Sequence, residues 1–333
     1  MNLDTKPIVD IVTGYRTAKI LLVAVYHDLF TLIDGGTNSV GEICQRARLN
    51  PRATEILLEA LVPLGFLEKT GARYHNSAES ERFLVHGKPE YLGNNLKYQE
   101  MLWEAWGELR EILQYGQTQR PLETLLSDNP GFSQEYILGM HNISQGPARE
   151  LAEIVPLERA QKMLDVGAGP GTFSLEFLKR YPTMNAYLLD LPGTIEVAES
   201  ILAHHPESSR VRFITGNYLY TDFGYKRFDL ALLSHVTHNE SEENNRFLIW
   251  KTYRALRPGG FMVVHDFMHN DAGATKFNGI FSVHMLVYTR HGRVYSVQEY
   301  EKWLRHVGFK NIRKVPIAKN APNPTMAILA QRP

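Results

Sequence analysis

The segment DVGAGPGT, residues 165–172, decides the fold of the C-terminal half, because it joins two stretches with different periodicity. The apolar stretch Lys162–Val166 predicts a buried strand, and the pattern from Thr172 to Tyr181 predicts a helix. Small residues at such a turn let a ligand approach the backbone, and the helix N-terminus offers unpaired N–H groups. The glycine spacing is G-x-G-x-G, so it departs from the G-x-G-x-x-G fingerprint of pyrophosphate-binding turns.

Asp190 is the second informative residue, because it directly follows the next apolar stretch, Ala186–Leu189. It lies 19 positions after Gly171, at the carboxyl end of the second predicted strand. A carboxylate there can accept hydrogen bonds from both hydroxyls of a ribose. The glycine turn and this acid together favour a nucleoside-containing ligand over a tight turn that binds nothing.

The rest of the C-terminal half continues to alternate strands with helices. A helix is predicted over residues 241–256, ended by Pro258-Gly259-Gly260, and Ser296 and Glu299 form a capping box that opens another. The alternation predicts an α/β fold with a doubly wound, mostly parallel, seven-stranded sheet that binds ligands beyond its carboxyl edge. The five further strands are predicted at Val211–Thr215, Asp229–Ser234, Phe261–Asp266, Ile312–Ile317 and Thr325–Ala330.

The N-terminal part predicts a helical domain with a winged-helix unit. Helices are predicted within residues 8–33, after the capping box of Ser39 and Glu42, and after Asn50-Pro51. A hairpin is predicted over residues 66–75, a loop over 115–131 and a helix over 132–154. The expected domains are a dimerisation domain (1–110), a connector that contributes to the active site (111–155) and a ligand-binding domain (156–333). The core-facing stripe of the second winged-helix helix is predicted to be Ile56, Leu57, Ala60, Leu61 and Leu64.

A winged helix can also bind DNA, which makes a ligand-sensing regulator the non-enzymatic alternative. Arg46, Arg48 and Arg52 lie in the relevant region, but Glu55 and Glu59 lie on the helix that would face phosphates. The chain has 36 Lys plus Arg and 36 Asp plus Glu, so it lacks the basic excess typical of nucleic-acid binders. These features favour a structural module and predict no nucleic-acid partner.

Composition predicts a cytoplasmic protein without a membrane partner. Apolar residues make up 44% of the 333 positions, as in ordinary globular proteins. The single cysteine, Cys44, excludes an internal disulfide, which fits a reducing compartment. The N-terminal MNLDTKPIVD does not have the pattern of a signal peptide, and no apolar run is long enough to span a bilayer.

Four motifs in register give the chain a family resemblance: DVGAGPGT at 165–172, LLDLPG at 188–193, HNESEE at 238–243 and LRPGG at 256–260. With the helical front domain, they resemble the plant-type and hydroxyindole-type small-molecule O-methyltransferases and their bacterial natural-product relatives. The resemblance covers nearly the whole chain. It implies the cofactor S-adenosyl-L-methionine, a winged-helix dimerisation domain and a homodimer.

The resemblance also implies roles for individual residues. Asn217 and Tyr218 match the adenine-contacting segment, although the family usually has Asp and an apolar residue there. Met140 and Ser144 match a helix that closes over substrate and cofactor. The expected substrate-binding residues are Met140, His284, Met285 and Thr289. The expected cofactor-binding residues are Asp165, Gly167, Gly169, Gly171, Asp190, Leu191, Asn217, Tyr218, Ser234 and Ser144.

His238 matches the family's general base, because it follows the fourth predicted strand of the C-terminal half. Methyl transfer to a hydroxyl requires removal of the hydroxyl proton, and imidazole accepts protons near neutral pH. The alternative is that His238 caps the following helix or faces solvent. The family's orienting carboxylate aligns with Val294, and the usual acid after the base is Asn239 here. We therefore expect Asp266, at the end of the fifth strand, to orient His238 as the second catalytic residue.

The active-site rim is unusually rich in histidine: His235, His238, His265, His269, His284 and His291. Strand alternation predicts that His265 points away from Asp266. A metal held by His238 and His284 would favour methylation of carbon, because a metal stabilises an enolate. Two histidines without a further carboxylate are a poor set for most metals, so we expect no catalytic metal.

The sequence thus predicts an O-methyltransferase that uses a histidine base and acts on an aromatic or polyketide-like metabolite. The enzymatic alternative is a C- or N-methyltransferase of a small metabolite.

Overall fold

The computed structural model describes residues 4–157, 160–269, 273, 275–319 and 323–333. The chain separates into two units between Trp103 and Glu104, and helix α7 (Trp103–Gly107) spans that division. In the described residues no helix combines the length and the apolar character needed to cross a membrane.

The first unit contains six helices and one hairpin among its described residues. Its elements are α1 (Lys6–Tyr26), α2 (Leu29–Asp34), α3 (Val40–Ala47), α4 (Pro51–Leu61), β1 (Leu67–Thr70), β2 (Arg73–Asn76), α5 (Ala78–Leu84) and α6 (Gly93–Met101).

The winged-helix prediction is confirmed by α3, α4 and the antiparallel pair β1–β2. Ser39 and Glu42 form both hydrogen bonds of the capping box, and the Asn50 side chain accepts from the Ala53 N–H. The core-facing residues predicted for α4 were wrong at Ile56. Leu58 and Leu61 are buried, whereas Ile56 is 57% exposed, because the helix is rotated by about one residue from the expected register.

The second unit supplies eight further helices, nine strands and two short 3₁₀ helices, Pro206–Arg210 and Thr237–Asn239, among the residues described. The helices are α8 (Leu109–Tyr115), α9 (Leu122–Asp128), α10 (Pro130–Ile154), α11 (Thr172–Arg180), α12 (Pro192–Leu202), α13 (Glu242–Ala255), α14 (Lys276–Tyr288) and α15 (Val297–Val307). The strands are β3 (Lys162–Val166), β4 (Asn185–Asp190), β5 (Val211–Thr215), β6 (Phe228–Ser234), β7 (Leu256–Asp266), β8 (Met268–His269), β9 (Tyr295–Ser296), β10 (Lys310–Ile317) and β11 (Thr325–Gln331).

Seven strands form one sheet, in the order β10-β11-β7-β6-β3-β4-β5. Strands β3 to β7 are parallel, while β11 runs antiparallel to both β7 and β10. The order reverses at β3, which is the switch point where open α/β sheets bind ligands. The doubly wound, mostly parallel α/β fold is therefore confirmed.

The core lies on both faces of this sheet, because consecutive strand residues point to opposite sides. Leu188 belongs to the cluster on one face, with Met163 and Leu232, and Leu189 belongs to the cluster on the other, with Leu164. The central strands β3 and β6 are buried on both faces, which is why they are nearly continuous apolar runs in the sequence.

Two sequence predictions in this unit need correction. Residues 115–131 are not only a loop, because helix α9 forms within them. Pro258-Gly259-Gly260 does not merely end a helix: these residues belong to β7, which begins at Leu256 and pairs irregularly with β6 near Phe228. Proline and glycine are tolerated there because the irregular pairing does not require every backbone donor.

Candidate active site

The glycine turn between β3 and α11 is built from left-handed backbone. Gly167, Gly169 and Gly171 have φ values of 66°, 54° and 73°. A Cβ at Gly167 would lie 2.6 Å from the Val236 side chain, and one at Gly171 would lie 2.8 Å from Leu188. A Cβ at Gly169 would meet nothing within 4 Å, so the turn leaves open space beside that residue.

Asp190 ties this turn to the end of β4. One carboxylate oxygen accepts from the Gly169 N–H at 2.8 Å, and the other accepts from the Leu191 N–H at 2.7 Å. Burial raises the pKa of Asp190, and the two backbone donors only partly oppose that shift. The Gly169 bond thus holds the predicted ribose acceptor against the glycine turn, and the Leu191 bond fixes the carboxylate at the end of its own strand.

Asp165 is buried beneath the turn and accepts a hydrogen bond from the Ser174 hydroxyl at 2.6 Å. Burial raises its pKa to about 7, although the Ser174 bond acts in the opposite direction. This hydrogen bond joins β3 to α11 inside the fold.

We expect Asp165→Asn to stabilise the cofactor-free protein at pH 8 but much less at pH 5. The native carboxyl has a pKa of about 7 and the ordinary pKa of an aspartate is 3.8, so between these two values the native state binds more protons than the unfolded state. Stability therefore falls as pH rises through that window, by about 1.4 kcal/mol per pH unit at most. Asparagine removes the ionisation and can still accept from Ser174. Thermal melts at both pH values measure the difference.

Asp128→Asn, at an exposed position, serves as the matched control for this experiment and should change neither melt. Equal melting shifts of Asp165→Asn at the two pH values would contradict the assignment of a raised pKa to Asp165.

The segment after β5 holds the predicted adenine-contacting residues. The side-chain amide oxygen of Asn217 accepts from the Leu219 N–H at 2.8 Å, so this side chain shapes the turn. The Tyr218 hydroxyl donates to Glu240 at 2.6 Å, and burial raises its pKa well above the ordinary value. The ring of Tyr218 lies close to Gly167. The segment therefore reaches the glycine turn.

His238 and Asp266 lie in direct contact at the carboxyl edge of the sheet. The His238 Nδ1 atom is 2.5 Å from an Asp266 oxygen, and both side chains are buried. Burial by itself would raise the pKa of Asp266, but the charge and hydrogen bond of His238 and the nearby His235 hold it below its usual range. An ionised Asp266 accepts from Nδ1–H, which leaves Nε2 of His238 as a proton acceptor.

Two hydroxyl groups hold Asp266 in place, one directly and one through the other, and neither residue is part of a sequence motif. The Thr237 hydroxyl donates to Asp266 at 2.6 Å and accepts from the Tyr300 hydroxyl at 2.7 Å. The backbone N–H groups of His238 and Phe267 also donate to the carboxylate. Thr237 directly precedes the predicted base, which is the one signal that the sequence offers for it.

His235 is the neighbour of this pair and has left-handed backbone, with φ of 55°. Its Nδ1 lies 3.7 Å from Asp266. Among the described residues, His235, His238 and Asp266 form the one group whose ligand atoms are close enough to hold a metal. Asp266, however, already accepts four hydrogen bonds, and its direct contact with His238 leaves no space for an ion between them.

His265 points to the other side of the strand from Asp266, as alternation predicts. It bonds the Ser234 hydroxyl at 2.9 Å and the Thr325 hydroxyl at 2.7 Å, and it is fully buried. Ser234, a predicted cofactor-binding residue, is therefore engaged with His265. His269 and His291 form no part of the contact between His238 and Asp266.

Helix α14 presents an aromatic wall, which we define as Phe277 and Phe281 of that helix together with Phe267. Their ring centroids lie 4.5 to 5.6 Å apart. The His238 ring meets Phe281 edge-on at 5.2 Å, and the His284 ring lies 5.7 Å from the same phenylalanine. The predicted base and a predicted substrate-binding residue thus share one aromatic surface.

The other substrate-binding predictions on α14 lie deeper in the structure. Met285 is fully buried in a cluster with Ile112 and Tyr288. The Thr289 hydroxyl donates to the Met285 carbonyl at 2.6 Å and accepts from the Gly292 N–H, so it caps the helix.

Helix α10, on which Met140 and Ser144 were predicted, packs against α11 and α12. Both residues are half-buried and lie one turn apart. Between them His141 contacts the Thr172 hydroxyl through Nδ1 at 2.8 Å. Thr172 begins the helix after the glycine turn, so α10 is connected to that turn by a contact that the sequence analysis missed.

Comparisons with known proteins agree with this geometry. A profile of the O-methyltransferase domain matches residues 106–310, and a profile of the O-methyltransferase dimerisation domain matches residues 9–86. The chain is 28% identical to the tetracenomycin polyketide synthesis 8-O-methyl transferase TcmO of Streptomyces glaucescens, over 93% of each protein. It is also 28% identical to the N,N-dimethyltransferase OxyT of Streptomyces rimosus, over 92% of this chain and 91% of that one.

Among solved structures, an O-methyltransferase family protein from Burkholderia thailandensis superposes with a TM-score of 0.88. The identity is 25%, and the match covers 100% of this chain and 99% of the other.

Proposed function

The chain belongs to the O-methyltransferase family and is an S-adenosyl-L-methionine-dependent methyltransferase, and from this premise we propose that it methylates a hydroxyl group of a small aromatic or polyketide-like metabolite with His238 as general base. The single observation that carries the proposal is the contact of His238 with Asp266 beside the aromatic wall. A proton acceptor beside an aromatic surface would suit a planar ring that carries the reacting hydroxyl, which supports the proposal.

The glycine turn and Asp190 fit the cofactor. We propose that the open space at Gly169 takes the amino-acid part and that Asp190, with Leu191 beside it, binds the ribose. Tyr218 and Asn217 would contact the adenine. When bound, S-adenosyl-L-methionine supplies a methyl group on a sulfonium, and a nucleophile takes that methyl as the thioether product leaves.

His238 removes the proton of the acceptor's hydroxyl at Nε2, because its Nδ1–H is held by Asp266. Asp266 stays ionised and stabilises the imidazolium that forms. Thr237 and Tyr300 keep the carboxylate in place throughout. The proton then passes from Nε2 to solvent, which restores the base.

The experiment that tests this function incubates the purified protein with methyl-labelled S-adenosyl-L-methionine and a set of phenols, anilines and keto acids. Label recovered as a methyl ether supports the proposal, and label on carbon or nitrogen only would overturn it. Calorimetry with S-adenosylhomocysteine and NAD should show binding of the first alone. The N-methylating relative OxyT is the specific reason to include anilines.

We expect methylation to be independent of a metal. Asp266 accepts four hydrogen bonds and contacts His238 directly, so a metal at His235, His238 and Asp266 would have to break this network. Activity should therefore survive prolonged treatment with a chelator. Elemental analysis of the purified protein checks the same point independently. Stoichiometric iron or zinc, lost together with activity in His284→Ala, would instead indicate a metal-assisted C-methyltransferase.

We expect a homodimer formed through residues 1–110, and Ile11→Glu should dissociate it. The matched dimerisation profile and an exposed apolar stripe on α1 support this. Ile8, Ile11, Val12 and Tyr15 are all more than half exposed and recur at helical spacing. Light scattering at micromolar concentration measures the mass, with Gly14→Ala as control. A monomeric unmodified protein would contradict the prediction.

We further propose that the winged helix binds no nucleic acid and that the protein works in the cytoplasm. Glu59 on α4 is paired with Lys69 of β1 and with the Tyr74 hydroxyl, so the charge of this lysine on the wing is neutralised. A DNA shift assay at several salt concentrations tests the first point.

The connector, residues 111–155, would contribute Met140 and Ser144 to the site.

A further inference from the structure

Trp106 and His284 form a pair that the proposed mechanism does not use. The indole N–H of Trp106 donates to Nδ1 of His284 at 3.2 Å, and the two rings stack with an interplanar angle of 23°. Helix α8 packs against α14, and Tyr288 meets the His284 ring edge-on at 4.4 Å. The orientation of the His284 ring is therefore fixed from two directions.

The Trp106 bond determines which nitrogen of His284 carries the proton. An indole N–H only donates, so the Nδ1 that accepts from it is unprotonated. Burial lowers the pKa of His284 to about 4, and the charge of nearby His238 acts in the same direction. The ring is neutral at physiological pH, and its single proton lies on Nε2.

His238 has the opposite tautomer, with its proton on Nδ1 and not on Nε2. Its Nδ1–H is held by Asp266, so its Nε2 accepts, whereas the Nε2 of His284 donates. Both rings contact Phe281. One aromatic surface is therefore flanked by a proton acceptor and by a fixed hydrogen-bond donor.

We infer that His284 donates a hydrogen bond from Nε2 to the methyl acceptor, and that the preferred acceptors are hydroxylated aromatic ketones or quinones. A carbonyl oxygen near the reacting hydroxyl can accept from His284 while His238 faces the hydroxyl. A planar ring between them packs on the aromatic wall. Trp106 is a positioning residue, because it acts through His284. The inference rests on the proposed function and adds the second recognition point.

The experiment compares two probes that differ in one oxygen: peri-hydroxytetralone and the tetrahydronaphthol that lacks the ketone. Their dissociation constants are measured by calorimetry on the full chain in the presence of S-adenosylhomocysteine. The unmodified protein should bind the ketone about three- to tenfold more tightly, the range for one neutral hydrogen bond. His284→Phe should remove this preference, so that the two probes bind the variant with equal affinity.

Trp106→Phe keeps the stacked ring but removes the indole N–H, so it should reduce the preference while the fold is kept. Trp250→Phe, a partly exposed tryptophan on α13, is the matched control and should retain it. Nitrogen-15 NMR should show the Nε2–H tautomer of His284 in the unmodified protein and a mixture in Trp106→Phe. A merely structural role for Trp106 would leave this tautomer signal unchanged.

A ketone preference that persists in His284→Phe would overturn the inference, and so would an Nδ1–H tautomer in the unmodified protein. These outcomes are separate from the fate of the proposed function. If both probes are converted to methyl ethers and bind with equal dissociation constants, the inference is contradicted while the proposed function stands. A ketone preference that His284→Phe removes, without any methyl ether from either probe, would support the hydrogen bond from His284 but contradict the proposed function on which the choice of methyl acceptor rests.

Discussion

Replacing His238 by alanine is expected to lower the turnover of a phenolic acceptor by about 10²-fold or more, the usual contribution of a general base. Alanine removes Nε2, the proton acceptor that Asp266 orients. The cofactor contacts that we propose lie at the glycine turn and Asp190, so S-adenosylhomocysteine affinity should stay nearly unchanged. Steady-state kinetics and calorimetry measure the two quantities. His306→Ala, an exposed histidine on α15, is the control.

The acidity of the acceptor separates a base from a residue that only positions the substrate. A nitrophenol is already ionised at pH 8, so it needs no proton acceptor in the enzyme. His238→Ala should therefore methylate it with a much smaller loss than it shows for phenol. A loss of equal size for both acceptors would assign His238 to positioning, and unchanged turnover of phenol would mean that another group takes the proton.

Replacing Asp190 by alanine is expected to weaken S-adenosylhomocysteine binding by about 10²-fold. The carboxylate accepts from the Gly169 and Leu191 N–H groups, and the proposed ribose contact adds to these. Each hydrogen bond to a charged group contributes about 1.5–3 kcal/mol, and about 1.4 kcal/mol corresponds to a tenfold change. Calorimetry measures the affinity, and kcat/KM should fall in parallel.

Asp190→Asn retains an acceptor oxygen, so we expect an intermediate loss. Glu199→Ala, an exposed acid on α12, should bind as the unmodified protein does. A melting curve of each variant shows whether the glycine turn survives the substitution. Wild-type affinity in a folded Asp190→Ala would contradict the assignment of this residue to the cofactor.

The sequence by itself determined the features that depend on neighbouring residues. The seven strands, the glycine turn and the capping boxes at Ser39 and Ser296 follow from apolar periodicity and from backbone groups within four positions of each other. The local sequence pattern predicted short helices and irregular strands less well. It missed α9 and treated Pro258 as the end of a helix, because such elements depend on packing more than on periodicity.

Only the tertiary structure decided how the site is put together. Asp266 meets His238 across 28 positions, and Trp106 meets His284 across 178. No local pattern encodes either contact, because each requires two separate strands or helices to pack in one register. The sequence offered Asp266 as a candidate, whereas nothing in the local pattern singled out Trp106. These long-range partners determine which ring nitrogen of each histidine carries the proton, since a ring nitrogen donates or accepts according to the group that faces it.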